Sequence, residues 1–181
     1  MKNVIHIFGA SGSGTTTMGK KICDEFGYKH MDTDDYFWLP TNPKFTQKRT
    51  VEERLELMNR DIDAYENVVI SGSLAGWGDP LIPRFTLAIR MELEQSARIE
   101  RLRKRESERF GTRIELGGDM YEQHLNFIEW AQKYDTGDMS HRSKMRHDAW
   151  ERTLPCETVH LDSADTLDVN FEKLVEKLRL Q

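Results

Sequence analysis

The sequence lacks the features of secreted, membrane-spanning and zinc-binding proteins. It has only two cysteines, Cys23 and Cys156, which are too few for a disulfide scaffold, and no spacing of histidines and cysteines resembles a zinc site. No apolar run approaches the ~20 residues that a membrane helix needs. The apolar stretch 4–8 is too short for a signal peptide. We therefore expect a cytoplasmic protein without a membrane partner.

A large excess of basic charge is also missing. The 26 basic and 31 acidic side chains leave a net charge of −5, whereas a protein that neutralises many nucleic-acid phosphates normally needs a basic surface. Nucleic acid is therefore disfavoured as a partner, and its modification by local basic patches is the least favoured function. No G-x-S-x-G turn supports a serine hydrolase. The length of 181 residues fits one domain, 1–181.

Short apolar runs alternate with longer amphipathic segments along the chain. The runs predict strands at 4–8, 28–32, 68–71, 86–93 and 157–161. The amphipathic segments predict helices at 16–26, 50–66, 95–110, 121–134, 142–152 and 167–178. Because apolar residues alternate along the fourth strand, we expect it to be less fully buried than the others. Strands separated by helices predict an α/β fold in three layers, with a mostly parallel sheet that binds ligands beyond the carboxyl ends of its strands.

A glycine-rich segment lies directly between the first predicted strand and the first predicted helix. Its spacing matches the P-loop pattern G-x-x-x-x-G-K-[ST], with Gly9, Gly14 and Thr16 in place and Thr15 where lysine is expected. In such a turn, backbone N–H groups converge on phosphate oxygens and the final hydroxyl binds magnesium. The predicted phosphate-binding residues are Gly9, Ser11, Gly12, Ser13, Gly14, Thr15, Thr16 and Thr17. A purely structural turn is the alternative.

Two aspartates end the second predicted strand. If the chain is still extended there, Asp32 and Asp34 point to the same side, because side chains alternate along a strand. One carboxylate could hold magnesium through water, and the other could accept a hydrogen bond or a proton from a substrate hydroxyl. The alternative is that an aspartate at 34 or 35 only caps a turn.

The segment 33–66 is the predicted acceptor-binding segment. For the aromatic residues at 36–38, packing against the helix that begins with the T-x-x-E capping box of Thr50 and Glu53 is favoured over substrate contact. After the third strand, the glycine-rich stretch 71–80 could let a bound acceptor approach closely. Trp77 in this stretch could stack on the acceptor or close the end of the sheet, and the sequence leaves both open.

A basic helix leads into the glycine-rich segment 110–119, which is predicted to be a mobile lid. Its basic residues are Arg98, Arg101, Arg103, Lys104, Arg105 and Arg109. Arg101 and Arg105, one turn apart, and Arg113 in the lid are predicted to neutralise charge on a transferred phosphoryl group. The alternative is a solvated helix face with i, i+4 ion pairs. Arg142 and Arg146 form a second i, i+4 pair, which could approach the nucleotide from the opposite side.

The chain resembles the small P-loop kinases of the adenylate kinase and shikimate kinase type over most of its length. The resemblance rests on the P-loop 9–16, on Asp-Thr-Asp at 32–34 and on the arginine-rich helix before the lid. The string 32–40 is similar to that of bacterial proteins described as adenylate-kinase-like or AAA-type ATPases. The resemblance implies five parallel strands, ATP with magnesium at the P-loop, and a loop 162–165 near the base.

The shikimate kinase D-x-D further implies that Asp32 lies near the metal and Asp34 on a substrate hydroxyl. The chain departs from the pattern at Thr15, and strand three lacks both the D-G-F-P-R of nucleotide acceptors and the G-G-G of shikimate kinases. We therefore expect a magnesium-dependent kinase that moves the ATP γ-phosphoryl group to a small hydroxyl or phosphate acceptor. The alternative is a catalytically weak ATPase or nucleotide-binding regulatory protein. The acceptor, the choice between ATP and GTP, and the oligomeric state are left open.

Overall fold

The computed structural model describes residues 2–179 and contains one five-stranded sheet in which all pairings are parallel. Three terminal residues of the predicted domain 1–181 therefore lie outside the described part. The strands are β1 Asn3–Gly9, β2 Lys29–Asp32, β3 Asn67–Ser71, β4 Leu87–Glu92 and β5 Thr158–Asp162. Their order across the sheet is β2-β3-β1-β4-β5. The predicted α/β fold with a five-stranded parallel sheet is confirmed.

The helices follow the strands closely in the chain. They are α1 Thr15–Phe26, α2 Thr33–Phe37, α3 Val51–Ala64, α4 Gln95–Phe110, α5 Tyr121–Gln132, α6 Lys144–Glu151 and α7 Leu167–Arg179. Two 3-10 helices span Asp79–Arg84 and Gly111–Ile114. The capping box forms as predicted, since the Thr50 hydroxyl accepts from Glu53 N at 3.2 Å and the Glu53 carboxylate accepts from Thr50 N at 2.8 Å.

The sheet separates two hydrophobic clusters, which makes the three layers. Val4 and Phe8 of β1 point into the cluster covered by α3 and α6, whereas Ile5 and Ile7 point into the cluster covered by α1 and α7. Alternate side chains of a strand reach opposite faces, so β1, in which only Asn3 and His6 are polar, can bury both of its faces. The whole of β1 is buried and it is the middle strand of the sheet, so the glycine-rich turn after it lies at the centre of the carboxyl edge of the sheet.

The expectation of a less buried fourth strand is wrong. Residues 87–91 of β4 are all buried, and Arg90 is only 4% exposed. The reason is that β4 pairs with β1 on one side and β5 on the other, so that helices cover both of its faces. The Arg90 guanidinium is tolerated there because it pairs with Asp148 at 2.6 Å and Glu151 at 2.7 Å.

The expectation that Arg142 and Arg146 share a helix is also wrong. Ser143 is the N-cap of α6, where its hydroxyl accepts from Arg146 N at 3.1 Å. Serine is a strong N-cap residue, so the helix begins at Lys144 and Arg142 lies in the loop before it. Among residues 2–179, no helix is both long and apolar enough to cross a bilayer.

Candidate active site

A pocket of about 530 Å³ lies beyond the carboxyl ends of the strands, where a parallel sheet is expected to bind ligands. It is lined by Gly12, Gly14, Thr15, Thr16, Thr17, Met18, Asp32, Asp34, Met91, Arg101, Leu102, Arg105, Arg109, Ser163, Asp165, Leu167 and Asn170. A more open groove of about 630 Å³ lies at the start of α4 and contains none of the predicted phosphate-binding residues. Most of the predicted phosphate-binding residues therefore line the first of these two pockets.

The turn between β1 and α1 depends on glycine at its start. A Cβ on Gly9 would lie 2.3 Å from the carbonyl oxygen of Met91 in β4, so only glycine lets the turn approach this strand. Gly14 has φ 93° and caps α1 without a side-chain hydrogen bond, so its φ lies in the left-handed region that favours glycine. The first backbone N–H groups of α1 thus carry no side-chain cap. Such a helix terminus attracts anions.

The predicted phosphate-binding residues fall into two groups. Those from Gly12 onward, except Ser13, line the pocket. Ser13 is buried, and its carbonyl accepts a hydrogen bond from the Ser163 hydroxyl, which ties the turn to the loop after β5. Ser11 and Gly9 belong to the turn but do not line the pocket. Thr15 lines it at the position of the expected lysine.

Thr16 and Asp32 meet at the floor of the pocket. The Thr16 hydroxyl donates to the Asp32 carboxylate at 2.9 Å. A hydroxyl and a carboxylate are hard oxygen ligands of the kind magnesium uses, and magnesium commonly takes its other ligands from phosphates and waters. Within residues 2–179, no cluster of three or more His, Cys, Asp or Glu side chains could hold a metal by itself. The two residues therefore fit a magnesium ion that arrives with a nucleotide.

The expectation of an extended chain after Asp32 is wrong. Asp32 is the N-cap of α2, and its carboxylate accepts from Asp34 N at 3.0 Å. Aspartate is a strong N-cap, so the chain turns helical at once. Asp34 nevertheless lines the same pocket as Asp32. The two carboxylates face one crevice because the first turn of α2 carries Asp34 over the pocket, not because they alternate along a strand.

The Asp34 carboxyl is accessible from the pocket, and its pKa is raised. Reduced hydration of the charged form is the main cause, Asp32 and Asp35 add to it, and Arg142 and Arg105 oppose it. A carboxylate with a raised pKa accepts a proton more readily than an ordinary aspartate does. This is the property that a general base for a hydroxyl acceptor needs.

Three arginines of α4 line the pocket at i, i+4 spacing: Arg101, Arg105 and Arg109. Arg101 donates to the Ser163 carbonyl at 2.9 Å. Arg105 lies with its guanidinium carbon 5.9 Å from the centre of the Phe127 ring. The predicted site residues omit Arg109, although its position two turns after Arg101 on the same face could have identified it. Arg98 is buried and pairs with Asp135 outside this set.

The remaining predicted arginines lie elsewhere. Arg113 makes two hydrogen bonds to Asp119, at 2.9 and 2.7 Å, within the lid. Arg142 packs over Trp130 at 5.2 Å and is close enough to Asp34 to lower that carboxyl's pKa. Arg146 lies against Gly76, where a Cβ would overlap its guanidinium. None of the three lines the pocket, so their proposed roles stay predictions.

Aromatic residues connect the acceptor-binding segment to its surroundings. The Tyr36 hydroxyl donates to Asp61 of α3 at 2.8 Å, which confirms packing on the capping-box helix. Trp77 donates from Nε1 to the Ser73 carbonyl at 3.2 Å. Sequence reasoning missed Arg54, which is only 7% exposed and lies 3.7 Å from the Phe37 ring centre. A buried guanidinium of this kind has no signature in a single sequence.

A series of buried hydrogen bonds lies beside the loop after β3. His147 binds the Ser73 hydroxyl through Nε2 and the Tyr134 hydroxyl through Nδ1, both at 2.8 Å. Burial lowers the pKa of His147 well below its usual value, so the ring is neutral and can donate from one nitrogen and accept at the other. These hydrogen bonds join α6 to the loop after β3.

One alignment with a known protein covers almost the whole chain. The sequence is 38% identical over 178 residues to the uncharacterized protein YqaC of Bacillus subtilis, with 98% of each chain covered. It is 34% identical over 115 residues to the cytidylate kinase of Pyrococcus horikoshii and 30% identical over 113 residues to that of Pyrococcus furiosus. These alignments cover 58% and 57% of both chains, respectively. The sequence matches no protein-family model.

Solved kinase structures share the fold. The shikimate kinase of Bacteroides thetaiotaomicron superposes with a TM-score of 0.58 at 14% identity and covers 98% of both chains. A gluconokinase of Sinorhizobium meliloti gives a TM-score of 0.53 at 20% identity, covering 98% of this chain and 91% of its own. At such identities the likeness establishes the fold.

Proposed function

Since the chain belongs to the family of YqaC, and is a small P-loop kinase of the nucleoside monophosphate kinase and shikimate kinase type, we propose that it transfers the γ-phosphoryl group of magnesium-bound ATP to a small hydroxyl or phosphate acceptor. The observation that carries the proposal is the 2.9 Å contact between Thr16 and Asp32. This contact supports a metal site in the pocket, which is also lined by part of the glycine-rich turn, Asp34 and three arginines.

Backbone N–H groups of residues 12–16 bind the phosphates in this proposal. A hydrogen bond to a charged group contributes roughly 1.5–3 kcal/mol, so several converging amides can hold a triphosphate without the P-loop lysine. Magnesium, when bound beside Thr16 and Asp32, neutralises phosphate charge. Ser163 and Asp165 of the loop after β5 also line the pocket, and in this proposal the nucleobase lies near that loop.

Asp34 and the arginines carry out the transfer. For a hydroxyl acceptor, the bond from the acceptor oxygen to the γ-phosphorus forms while the bond from that phosphorus to the bridging oxygen breaks, and ADP leaves. Asp34 receives the hydroxyl proton. Arg101 and Arg105 neutralise charge on the transferred group, and Arg113 joins them if the lid closes. Such positioning and charge neutralisation is the main source of catalysis in phosphoryl transfer.

Arg142 and Arg146 approach from the acceptor side. Arg142 is electrostatically coupled to Asp34, and Arg146 contacts Gly76 in the loop after β3. We place these two arginines at the phosphate that is transferred or at an anionic group of the acceptor. This arrangement favours a negatively charged acceptor over a neutral one.

Phosphorus NMR tests the proposal directly. The purified protein is incubated with magnesium and either ATP or GTP, together with a panel of hydroxy acids, sugars and nucleoside monophosphates. We expect a new phosphomonoester or phosphoanhydride signal for at least one acceptor, with stoichiometric formation of the nucleoside diphosphate. Slow hydrolysis with no transfer to any member of a broad panel would overturn it.

Thr15 favours a second function, a nucleotide-binding regulatory protein with weak ATPase activity. Thr15 lines the pocket at the position where a lysine would contact the phosphates. The substitution Thr15→Lys separates the two functions, and Thr15→Met is a control of similar length without charge. A kinase that already uses arginines gains little or is impaired by the lysine. A kinase that has lost activity with its lysine gains turnover from Thr15→Lys and none from Thr15→Met.

A further inference from the structure

A row of aromatic rings links the phosphate pocket to the acceptor side. We call Phe37, Trp38, Phe45 and Trp77 the aromatic ladder. Phe37 lies 6.1 Å from Trp77 and 4.9 Å from Trp38, and Trp38 lies 5.9 Å from Phe45, as ring centroid distances. All three pairs meet edge to face, an attractive arrangement for aromatic rings. The ladder therefore extends from the loop after β3 to Phe45.

At the Phe45 end, the row of rings contacts an arginine that lines the pocket. The Arg109 guanidinium carbon lies 5.7 Å from the centre of the Phe45 ring, within the range of a cation–π contact. Arg109 also lies 5.9 Å from the ring of its neighbour Phe110. In the described residues it makes no side-chain hydrogen bond or ion pair. Aromatic contacts are thus what locates Arg109, whereas a hydrogen bond to the Ser163 carbonyl locates Arg101.

The backbone at Phe45 is held in an uncommon conformation. Its φ is 65°, in the left-handed region that a bulky residue rarely adopts. Contacts on both sides support this conformation: Gln123 of α5 donates to the Lys44 carbonyl at 2.9 Å, and the Thr46 hydroxyl donates to the Pro43 carbonyl at 3.1 Å. Strain that neighbours maintain in this way often marks a functional position. Here the conformation directs an aromatic ring toward a pocket arginine.

We propose that Phe45 is a positioning residue that holds the Arg109 guanidinium at the phosphate pocket. The acceptor-binding segment 33–66 thereby completes the nucleotide site, because the ring comes from that segment and the arginine from α4. The proposal rests on the proposed function in one respect, namely that the pocket binds magnesium-bound ATP. It assigns a role to the aromatic residues that the phosphotransfer chemistry itself does not use.

The size of the effect follows from the contact. A cation–π contact at an exposed site contributes enough to change a dissociation constant about two- to fivefold. Phe45→Leu keeps an apolar side chain but removes the ring, so it should weaken binding of Mg-ATP by that factor. Phe45→Tyr keeps the ring and should bind as the unmodified protein does. Arg109→Met should weaken binding more, because it removes the charge itself.

A double-mutant cycle tests whether Phe45 acts through Arg109. Calorimetry measures the dissociation constant of Mg-ATP for the unmodified protein, Phe45→Leu, Arg109→Met and the double variant. We expect Phe45→Leu to weaken binding in the unmodified background and to have no effect once Arg109 is methionine. Phe127→Leu, which removes the ring beneath Arg105, is the matched control. Its effect should persist in the Arg109→Met background.

The outcomes separate the two proposals. Equal weakening by Phe45→Leu in both backgrounds, or none in the unmodified protein, overturns the role of Phe45 and leaves the proposed function intact. If the unmodified protein does not bind Mg-ATP, both proposals fall. Circular dichroism melting checks that each variant is folded, and Phe45→Met replaces Phe45→Leu in the cycle if the leucine variant is not.

Discussion

The proposed phosphate end and the proposed acceptor end of the site are built in different ways. At the phosphate end, one turn between β1 and α1 supplies backbone N–H groups, and its geometry is set by glycines at 9, 12 and 14. At the proposed acceptor end, Asp34 of α2 lines the pocket, and the loop after β3 and the residues around the start of α6 lie beyond its lining. Binding groups of the first kind are continuous in the chain, and those of the second kind are not.

We infer from this difference that the two ends have different functions. Backbone groups in a turn are fixed by the fold and change little with the protonation state or with substitutions elsewhere, so they suit a common ligand such as a triphosphate. Charged side chains depend on their surroundings: burial raises the pKa of Asp34, and the nearby Arg142 opposes this rise. The acceptor end is therefore where we expect both the chemistry and the choice of substrate to reside.

The largest expected effect is that of Asp34→Asn, which removes the proton acceptor and leaves the phosphate end unchanged. Loss of a general base typically lowers a rate by ~10²–10⁴. We expect transfer to fall by that factor while the dissociation constant of Mg-ATP, measured by calorimetry, stays within about twofold. Asp35→Asn, one residue away and outside the pocket lining, is the control. Equal losses of transfer activity in both variants would contradict the assignment of the chemistry to the acceptor end.

Gly9→Ala tests the phosphate end through the backbone. Its Cβ would meet the Met91 carbonyl at 2.3 Å, so the turn or β4 must move, and we expect the free energy of unfolding to fall by about 1–3 kcal/mol. Urea denaturation measures it. The control is Gly27→Asn, at a left-handed position with no atom within 4 Å of a Cβ, where asparagine is tolerated. An unchanged stability of Gly9→Ala would mean that the turn is not held by close contact with β4.

Thr16→Val tests the contact between the glycine-rich turn and Asp32 at the end of β2. Removal of the hydroxyl breaks its 2.9 Å hydrogen bond to Asp32 and removes the proposed metal ligand, and we expect Mg-ATP binding to weaken about tenfold. Titration of ATP at several magnesium concentrations measures the change. Thr16→Ser retains the hydroxyl and should bind normally. If valine and serine are equivalent, Thr16 does not bind the metal.

The smallest expected effect is a shift in the pH dependence of the transfer rate. Asp34 acts as a base only when ionised, so transfer should rise with pH through an apparent pKa above that of an ordinary aspartate. Arg142 lowers this pKa, hence Arg142→Met should raise it and move the acid limb of the rate profile to higher pH, by less than about one unit at this accessible site. Arg103→Met, on α4 outside the pocket, is the control. A shift to lower pH would refute the coupling.

Sequence reasoning succeeded where the relevant contacts are close in the chain. The P-loop turn, the capping box of Thr50 and Glu53, and the alternation of strands and helices all depend on neighbouring residues, and the structure confirms the capping box and the fold. Prediction failed where two local tendencies competed. Asp32 ends a strand and is also a strong N-cap, and the N-cap prevailed, so Asp34 reaches the pocket from a helix.

The arginines of α4 show that a sequence does not determine which side chains of one helix become buried. Arg98 and Arg101 are one turn apart on α4, yet Arg98 is buried against Asp135 and Arg101 lines the pocket. Helical periodicity places both residues near one face, and the approach of the segment after α5 determines which of them is covered. For the same reason, the buried Arg54 could not be identified from its own surroundings in the chain.

The amino-acid sequence by itself determined the order of strands and helices, the glycine-rich turn after β1 and the aspartates beside it, because these depend on periodicity, glycine and capping within a few residues. Only the tertiary structure decided which arginines face the pocket, how Asp34 is oriented, and that the Phe45 ring reaches Arg109. Those contacts join segments distant in the chain, and their geometry is set by how helices pack on the sheet.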